Sequence, residues 1–366
     1  MRVQLKKTNN IRSALTAATC SLLGISTPGH SAMANEGWDV DSSVLVYSES
    51  DSRVSVVEPV ININKEIHED EFVNVKLVLD TLTGASPNGA SPTNQVQTFT
   101  RPSGNGSYQA KAGETPLDDS FQDTRAAVSV SWDKPLARLI RRTLGLAVSQ
   151  EFDYTSISVN GLLSRDIFNR NTTLQGGLSV ASDLVRPTGD IPTAFASMAG
   201  PDRVQPRENA SDTKTTIDLL LGVTQVLGHD TIGQLNYTFS DSTGYLTDPY
   251  KVLSLVDGSS GETQDIVFEN RPGDRVKHSL YGEIKHFLGR DLISASYRYY
   301  SDDWGIDSHT VDLNYRWKFL SNAYLQPRVR WYQQSAADFY RHSLIAGDPL
   351  PENASADPRL GEFTAT

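Results

Sequence analysis

The feature that most constrains this chain is a two-residue alternation of apolar and polar side chains. It is sustained over runs of about 10 to 13 residues and repeated from Trp38 onward. A period of two puts neighbouring side chains on opposite faces of a strand, whereas a helix needs a period near 3.6. In 310–319, Val311, Leu313, Tyr315, Trp317 and Phe319 share one face, against Thr310, Asp312, Asn314, Arg316 and Lys318. From Thr143, Leu144, Leu146, Val148 and Phe152 oppose Gly145, Ala147, Ser149, Glu151 and Asp153. Val73-Val75-Leu77-Leu79, Ala126-Val128-Val130-Trp132, Leu235-Tyr237-Phe239 and Ile293-Ala295-Tyr297-Tyr299 alternate in the same way.

Such runs outlast the usual globular strand and match the roughly 9 to 11 residues a tilted strand needs to cross a bilayer. Helical spans are excluded: hydrophobic residues make up 38% of the chain, the mean hydropathy is -0.37, and the only extended apolar stretch is short and N-terminal. One apolar face with aromatics toward its ends, and one polar face often charged, is the pattern of a transmembrane barrel. A soluble sandwich or barrel alternates similarly, so strand length and connections must discriminate.

The alternation predicts strands near 38–47, 54–63, 71–82, 122–132, 143–154, 156–168, 172–183, 213–226, 230–241, 275–287, 291–300, 306–319 and 322–334. Tight turns fall at Asn169-Arg170-Asn171, Leu227-Gly228-His229, Leu288-Gly289-Arg290 and Leu320-Ser321. Long polar stretches fall at 83–121, 184–212, 242–274 and 335–360. If the first strand starts in the periplasm, these tight turns are periplasmic and the long stretches external, which is the asymmetry of outer-membrane barrels. Residues 361–366 read as the start of a fourteenth strand. An unpaired edge in lipid is costly. The expectation is therefore an antiparallel transmembrane β-barrel of about 14–16 strands, with residues 35–366 a C-terminally incomplete copy. An intact soluble open sheet is the alternative.

Residues 1–34 read as a signal peptide. Arg2, Lys6, Lys7 and Arg12 precede an apolar core at 14–25, and Ser31-Ala32-Met33-Ala34 offers a small-x-small site with cleavage after Ala34. Cys20, the only cysteine, lies inside it, so a mature chain has no disulfide and no thiolate ligand. Cleavage takes the basic count from 33 to 29 against 44 acids, and the net charge from -11 to -15. So acidic a chain is a poor partner for nucleic acid.

Several local motifs are distinctive: Trp38-Asp39-Val40-Asp41-Ser42, Tyr47-Ser48-Glu49, Asp80-Thr81-Leu82-Thr83-Gly84-Ala85-Ser86-Pro87-Asn88-Gly89-Ala90, Gln97-Thr98-Phe99-Thr100-Arg101-Pro102-Ser103-Gly104 and Asn169-Arg170-Asn171-Thr172-Thr173. Together they resemble a bacterial family designated domain of unknown function three-five-seven-zero, over nearly all the mature chain. The resemblance implies an exported, outer-membrane-barrel-like protein of Gram-negative bacteria. It carries over no established activity. The family usually runs somewhat past this chain's last residue.

Nucleotide and hydrolase motifs are absent, and Gly104-Asn105-Gly106 has no helix following it to cradle a phosphate. A barrel phospholipase needs His and Ser two apart on one face. His278-Ser279 and His342-Ser343 are adjacent instead. A barrel aspartyl protease pairs Asp-x-His with carboxylates at the external rim. Asp307-x-His309 has that spacing, but Asp39-x-Asp41 lies at the opposite end. Glu66, His68, Glu69, Asp70 and Glu71 form an acidic run that reads as a solvated turn before it reads as a cation site. Asp118-Asp119 reads likewise. No metal, cofactor or catalytic residue is expected.

The informative polar set faces inward by parity: Lys277, Glu283, Lys285, Arg298, Arg316, Lys318, Arg328 and Arg330, of which seven are basic. A basic wall favours anions in a narrow lumen. The competing reading pairs these cations with inward Asp80, Glu151, Asp153, Asp218 and Asp312 as braces. The expected function is a non-enzymatic outer-membrane channel or carrier for small polar, weakly anionic solutes, with outer-membrane lipid around it. The alternatives are a structural or assembly barrel that partners periplasmic proteins, a barrel enzyme, and a soluble secreted β-protein.

Overall fold

The computed structural model describes residues 38–48, 54–198, 206–320 and 323–366. The expected signal peptide, Cys20 and the expected cleavage after Ala34 lie outside the described residues.

Fourteen strands form one sheet in which each pairs antiparallel with the next. In chain order its first seven are β1 (Asp39–Ser48), β2 (Val54–His68), β3 (Glu71–Pro87), β6 (Leu117–Ala137), β7 (Ile140–Gln150), β8 (Tyr154–Ile167) and β9 (Thr172–Val185). The other seven are β10 (Asp212–Val226), β11 (Thr231–Gly244), β14 (Asp274–Leu288), β15 (Asp291–Asp302), β16 (Asp307–Arg316), β17 (Arg328–Gln334) and β19 (Phe363–Ala365). The five remaining strands are short and come from the long connections: β4 (Gln97–Thr100), β5 (Ser107–Ala110), β12 (Val252–Val256), β13 (Thr263–Phe268) and β18 (Leu344–Ile345). All thirteen predicted strands are present, and the expected fourteenth is β19. No helix among the described residues is long and apolar enough to cross a membrane.

The tight turns are where the alternation breaks. Phe168, Asn169 and Arg170 all take positive φ (49°, 55° and 67°), and the Asn171 N–H closes on the Phe168 carbonyl at 3.0 Å. Asn visits this region at low cost. At the next such hairpin Gly289, with φ +74°, lets Leu288 pair directly with Asp291.

The wall runs beyond its apolar pattern. β3 continues through Gly84 to Pro87, and β6 begins at Leu117, so five residues at each end of the expected loop 83–121 are strand. Backbone groups pair across a ladder whatever the side chains are, so a polar Thr/Gly/Ser stretch can extend a strand with no periodic signal. Three strands are shorter than expected, one of them β17, which starts at Arg328 and not near 322. The Glu151 N–H turns back to the Tyr154 carbonyl at 2.7 Å, which ends β7 at Gln150 and puts Phe152, Glu151 and Asp153 in a turn. β16 ends at Arg316, with only an isolated bridge from Trp317 to Leu325 beyond it.

Burial across the wall is inverted relative to a water-soluble sheet. Leu146, Leu178, Leu221, Leu235 and Leu313 are each about half exposed, whereas Asn74, Asn160, Asn236, Ser179, Ser294 and Asp312 are buried. Full burial of one Leu is worth about 1.5–3 kcal/mol, so a wall that presents this many to water forfeits a large stabilisation that a lipid surround restores. Aromatics edge the apolar band: Trp38, Trp317, Phe319 and Tyr324 at the tight-turn end, Tyr47 and Tyr299 at the other. This is the surface of a transmembrane barrel.

The four long connections emerge at one rim and fold together into a cap. β13, β12 and β18 form a three-stranded sheet. Residues 195–198 add to β13 through Phe195 N–H to Phe268 carbonyl and Met198 N–H to Ile266 carbonyl bonds, and β4–β5 is a separate hairpin. Most buried apolar residues lie here: Phe99, Tyr108, Val252, Ile266 and Phe268 in one cluster, Leu253, Val267 and Ala354 in a second, and Trp304, Ile306, Phe339 and Leu360 in a third. Loop 88–116 leaves between β3 and β6 and packs on loop 245–273 between β11 and β14. Those strands are far apart in the sheet order, so the wall must curve round to bring them together.

Candidate functional site

Residues i and i+2 of every wall strand share the inner surface, so position in the register assigns the charged side chains. Lys277, Glu283 and Lys285 on β14, Arg298 on β15, Arg316 on β16, and Arg328 and Arg330 on β17 have the parity of buried Ser294, Ser308 and Asp312. Lys318 lies past the end of β16, exposed in the turn region, where its N–H donates to Asp291 at 2.9 Å.

Many of these cations are held by acids. Asp312 accepts from Arg328 at 2.5 Å and from Arg330 at 2.8 Å. Lys285 lies 3.4 Å from Glu283. The same bracing recurs round the wall as Lys214–Asp183 at 2.9 Å, Arg275–Asp302 at 2.5 Å, Arg125–Asp80 and Arg141–Asp133. Arg298 and Arg316 are held differently, over the rings of Tyr281 and Tyr324 at 5.5 and 4.7 Å. Asp218 shares the inner face of β10. Glu151 and Asp153 sit at the rim that carries the long connections, and there Asp153 accepts from Tyr250 Oη at 2.5 Å.

A cavity of about 440 Å³ opens between the inner face of β14–β17 and the underside of the cap. Arg275, Arg298, Thr310 and Tyr332 line it from the wall, and Arg271, Asp357 and Arg359 from the cap. The cap residues form a buried ionic knot. Arg271 Nε lies 2.6 Å from Glu269 and its Nη2 lies 3.0 Å from Asp357. Asp357 also accepts from Arg359 Nη2 at 2.6 Å, and Lys251 Nζ stands 4.0 Å from it. Burial alone would raise the Asp357 carboxyl, but the Arg359 hydrogen bond and the charges of Lys251, Arg359 and Arg271 outweigh that and hold it far below the ordinary carboxylate range. For Glu269 burial prevails over Arg271 and pushes the carboxyl up. Burial likewise pulls the Arg271 guanidinium down, and the charges of Glu269, Asp248 and Asp357 more than restore it.

Arg271, Arg275, Asp357 and Arg359 were not reached from the sequence as site residues. Arg275 continues the inward parity of Lys277 and could have been found by extending that run by two. The cap residues carry no periodic signal.

The remaining motifs go elsewhere. His278 is on the outer face beside Tyr237 and Phe239, with Ser279 behind it. His309 accepts or donates at 2.7 Å to Tyr297 Oη, also outside, and Tyr299 Oη donates to Asp307 at 2.8 Å. In the acidic run, Glu66 caps the turn by accepting the Asp70 N–H at 3.0 Å, and Glu71 takes Lys134 at 3.2 Å and Trp132 Nε1 at 2.7 Å. Asp118 is fully buried, 3.9 Å from Arg101, and Asp119 is exposed. Among the described residues, no group of three or more His, Cys, Asp or Glu side chains is placed to hold a metal.

The family described as protein of unknown function DUF3570 matches residues 12–366. The chain belongs to this family. This is the family that the local motifs resembled. Comparison with curated proteins returns no match. Among solved structures, a double mutant of the ferric enterobactin receptor of Pseudomonas aeruginosa superposes with a TM-score of 0.43 at 10% identity, over 89% of this chain and 49% of that one. The FrpB iron transporter of Neisseria meningitidis gives 0.43 at 11% identity, over 88% and 60%. The ferric-catecholate import receptor Fiu of Escherichia coli gives 0.38 at 8% identity, over 82% and 58%. This DUF3570 chain thus spans about half the length of the solved structures it matches.

Proposed function

We propose that this DUF3570 protein is an outer-membrane β-barrel that passes or carries small polar solutes, with a weak preference for anions. One observation carries the reading: the wall is apolar outside and polar inside, and its inner face keeps Arg298, which has no carboxylate at ion-pair distance among the described residues. A wall whose buried face is polar has no reason to form around an apolar core, but it is the natural lining of a water-filled or ligand-filled interior. The reading assigns no bond-making chemistry and no cofactor. The test is single-channel recording in planar bilayers with the full-length protein. Discrete conductance steps with a modest anion bias are expected, and their complete absence would remove the transport reading.

A second reading is favoured by the braces. Asp312 holds two arginines, and the cap is a packed body with its own apolar core. A barrel so stiffened and covered suits a structural or assembly role, with periplasmic proteins as partners. It predicts no conductance and co-purification with periplasmic proteins.

A further inference from the structure

The cavity beneath the cap sets charge out in an unusual order. In each of its ion pairs the carboxylate is the deeper partner. The Asp302 and Glu269 side chains are fully buried, and Asp357 is 1% exposed, while Arg275 and Arg271 keep 22% and 10% of their side-chain surface. Arg359 bonds to Asp357 through Nε and Nη2 and remains largely exposed. Glu269 and Asp302 therefore stand behind their guanidinium partners and outside the lining, Asp357 alone of the carboxylates reaches it, and Arg271, Arg275 and Arg359 border the space. Arg298 adds a further guanidinium from the wall, lying over the Tyr281 ring at 5.5 Å, with no carboxylate at ion-pair distance among the described residues. A guanidinium needs an acceptor in its plane, and a stacked ring leaves its N–H edge free.

We propose that this cavity is a binding site for a small organic oxyanion, a carboxylate or a phosphate, held between Arg298 of the wall and the Arg271–Arg359 face of the cap. The forked N–H geometry of Arg matches two oxygens of either group. Thr310, on the inner face of β16, lines the space with a hydroxyl-bearing side chain. At about 440 Å³ the space fits a solute of metabolite size. Because Arg271, Asp357, Arg359 and Leu360 of the lining belong to the cap, the bound anion ties cap to wall, and the site rests on the proposed transport reading for its access to solute.

The test uses the full-length protein in planar bilayers and, separately, isothermal titration calorimetry of the same protein folded in detergent. The probes are citrate and inorganic phosphate, with glucose as the neutral control. Citrate or phosphate is expected to interrupt a KCl current and to bind in the calorimeter, and glucose to do neither. R298A is expected to weaken both effects about tenfold or more, with R298K recovering part of the loss. K111A, which removes an exposed cation of the cap surface, leaves them unchanged. A protein that conducts KCl but neither binds nor is interrupted by either anion overturns the site and leaves the transport reading standing. Equal weakening by R298A and K111A overturns it too, since a diffuse positive field and not a site would then be responsible. Anion binding in the calorimeter without any conductance upholds the site and removes transport.

Discussion

Lys251, in the third long connection, donates its Nζ to the backbone carbonyl of Pro87 at 2.5 Å, across 164 positions of sequence. Its side chain is 5% exposed, so loss of the Pro87 acceptor would leave a buried ammonium short of a partner. The next strand repeats the junction: the Val252 N–H donates to the Asn88 carbonyl at 3.0 Å. Cap and wall are thereby joined where β3 ends, and the joint defines what can be changed without harm.

Gly89 is the tightest point of that joint. Its φ is +98°, and a Cβ there would stand 2.4 Å from the Val252 carbonyl oxygen. G89A is expected to cost on the order of 1–3 kcal/mol and to loosen the cap alone. Limited proteolysis should then cut within 88–116 or 245–273, while the wall keeps its heat-modifiable migration on SDS gels. Resistance equal to wild type would contradict the joint.

The outer face makes a prediction of opposite sign in lipid and in water. Leu221 on β10 is 51% exposed in mid-strand. In a soluble sheet L221R would be nearly neutral, as surface changes usually are. Facing hydrocarbon it should cost about 2–4 kcal/mol. Denaturant titration of protein folded in lipid vesicles measures the difference, and an unchanged midpoint would place this face in water.

Asp312 balances Arg328 and Arg330. D312N should release both guanidiniums into the interior at a stability cost of about 1 kcal/mol or less, because both arginines are half exposed. If the interior conducts, the reversal potential in a KCl gradient should move toward chloride. A shift toward potassium would show that these groups do not face the conducting path.

The cap should be acid-sensitive. Asp357 has its carboxyl held below the ordinary range, so the stabilisation it provides is complete above the unfolded value near 4 and is lost as pH falls through its folded value. Glu269 works the other way: its raised value means it opposes the fold as pH climbs above the ordinary range and stops doing so in acid. Protease sensitivity of the cap should rise in strong acid in the wild type. D357N should be sensitive already at pH 7, because Lys251, Arg271 and Arg359 lose their common acceptor. A D357N cap that resists protease at pH 7 would contradict this account.

The wall was legible because its physics is local. Val311, Leu313 and Tyr315 face one way and Asp312 and Asn314 the other because a strand alternates. That alternation located every long strand. Where the side chains stop alternating, as from Gly84 to Pro87, the strand continues unseen, because the backbone ladder is blind to side-chain identity. Lys318 lies beyond the reach of that pattern for a related reason: parity holds only while the strand lasts, and β16 ends at Arg316.

The sequence by itself determined the all-β wall, its two faces, and the end from which the long connections emerge, since each is encoded in a period of two and in turn residues such as Asn169 and Gly289. Only the tertiary structure decided that the long connections are a packed cap and not loose loops, and that Arg271 and Arg359 meet Arg298 across one cavity. Those contacts join residues far apart in sequence, such as Asn88 with Val252 and Glu269 with Ser355. They exist because the curved wall brings its rim together, and no local pattern carries that closure.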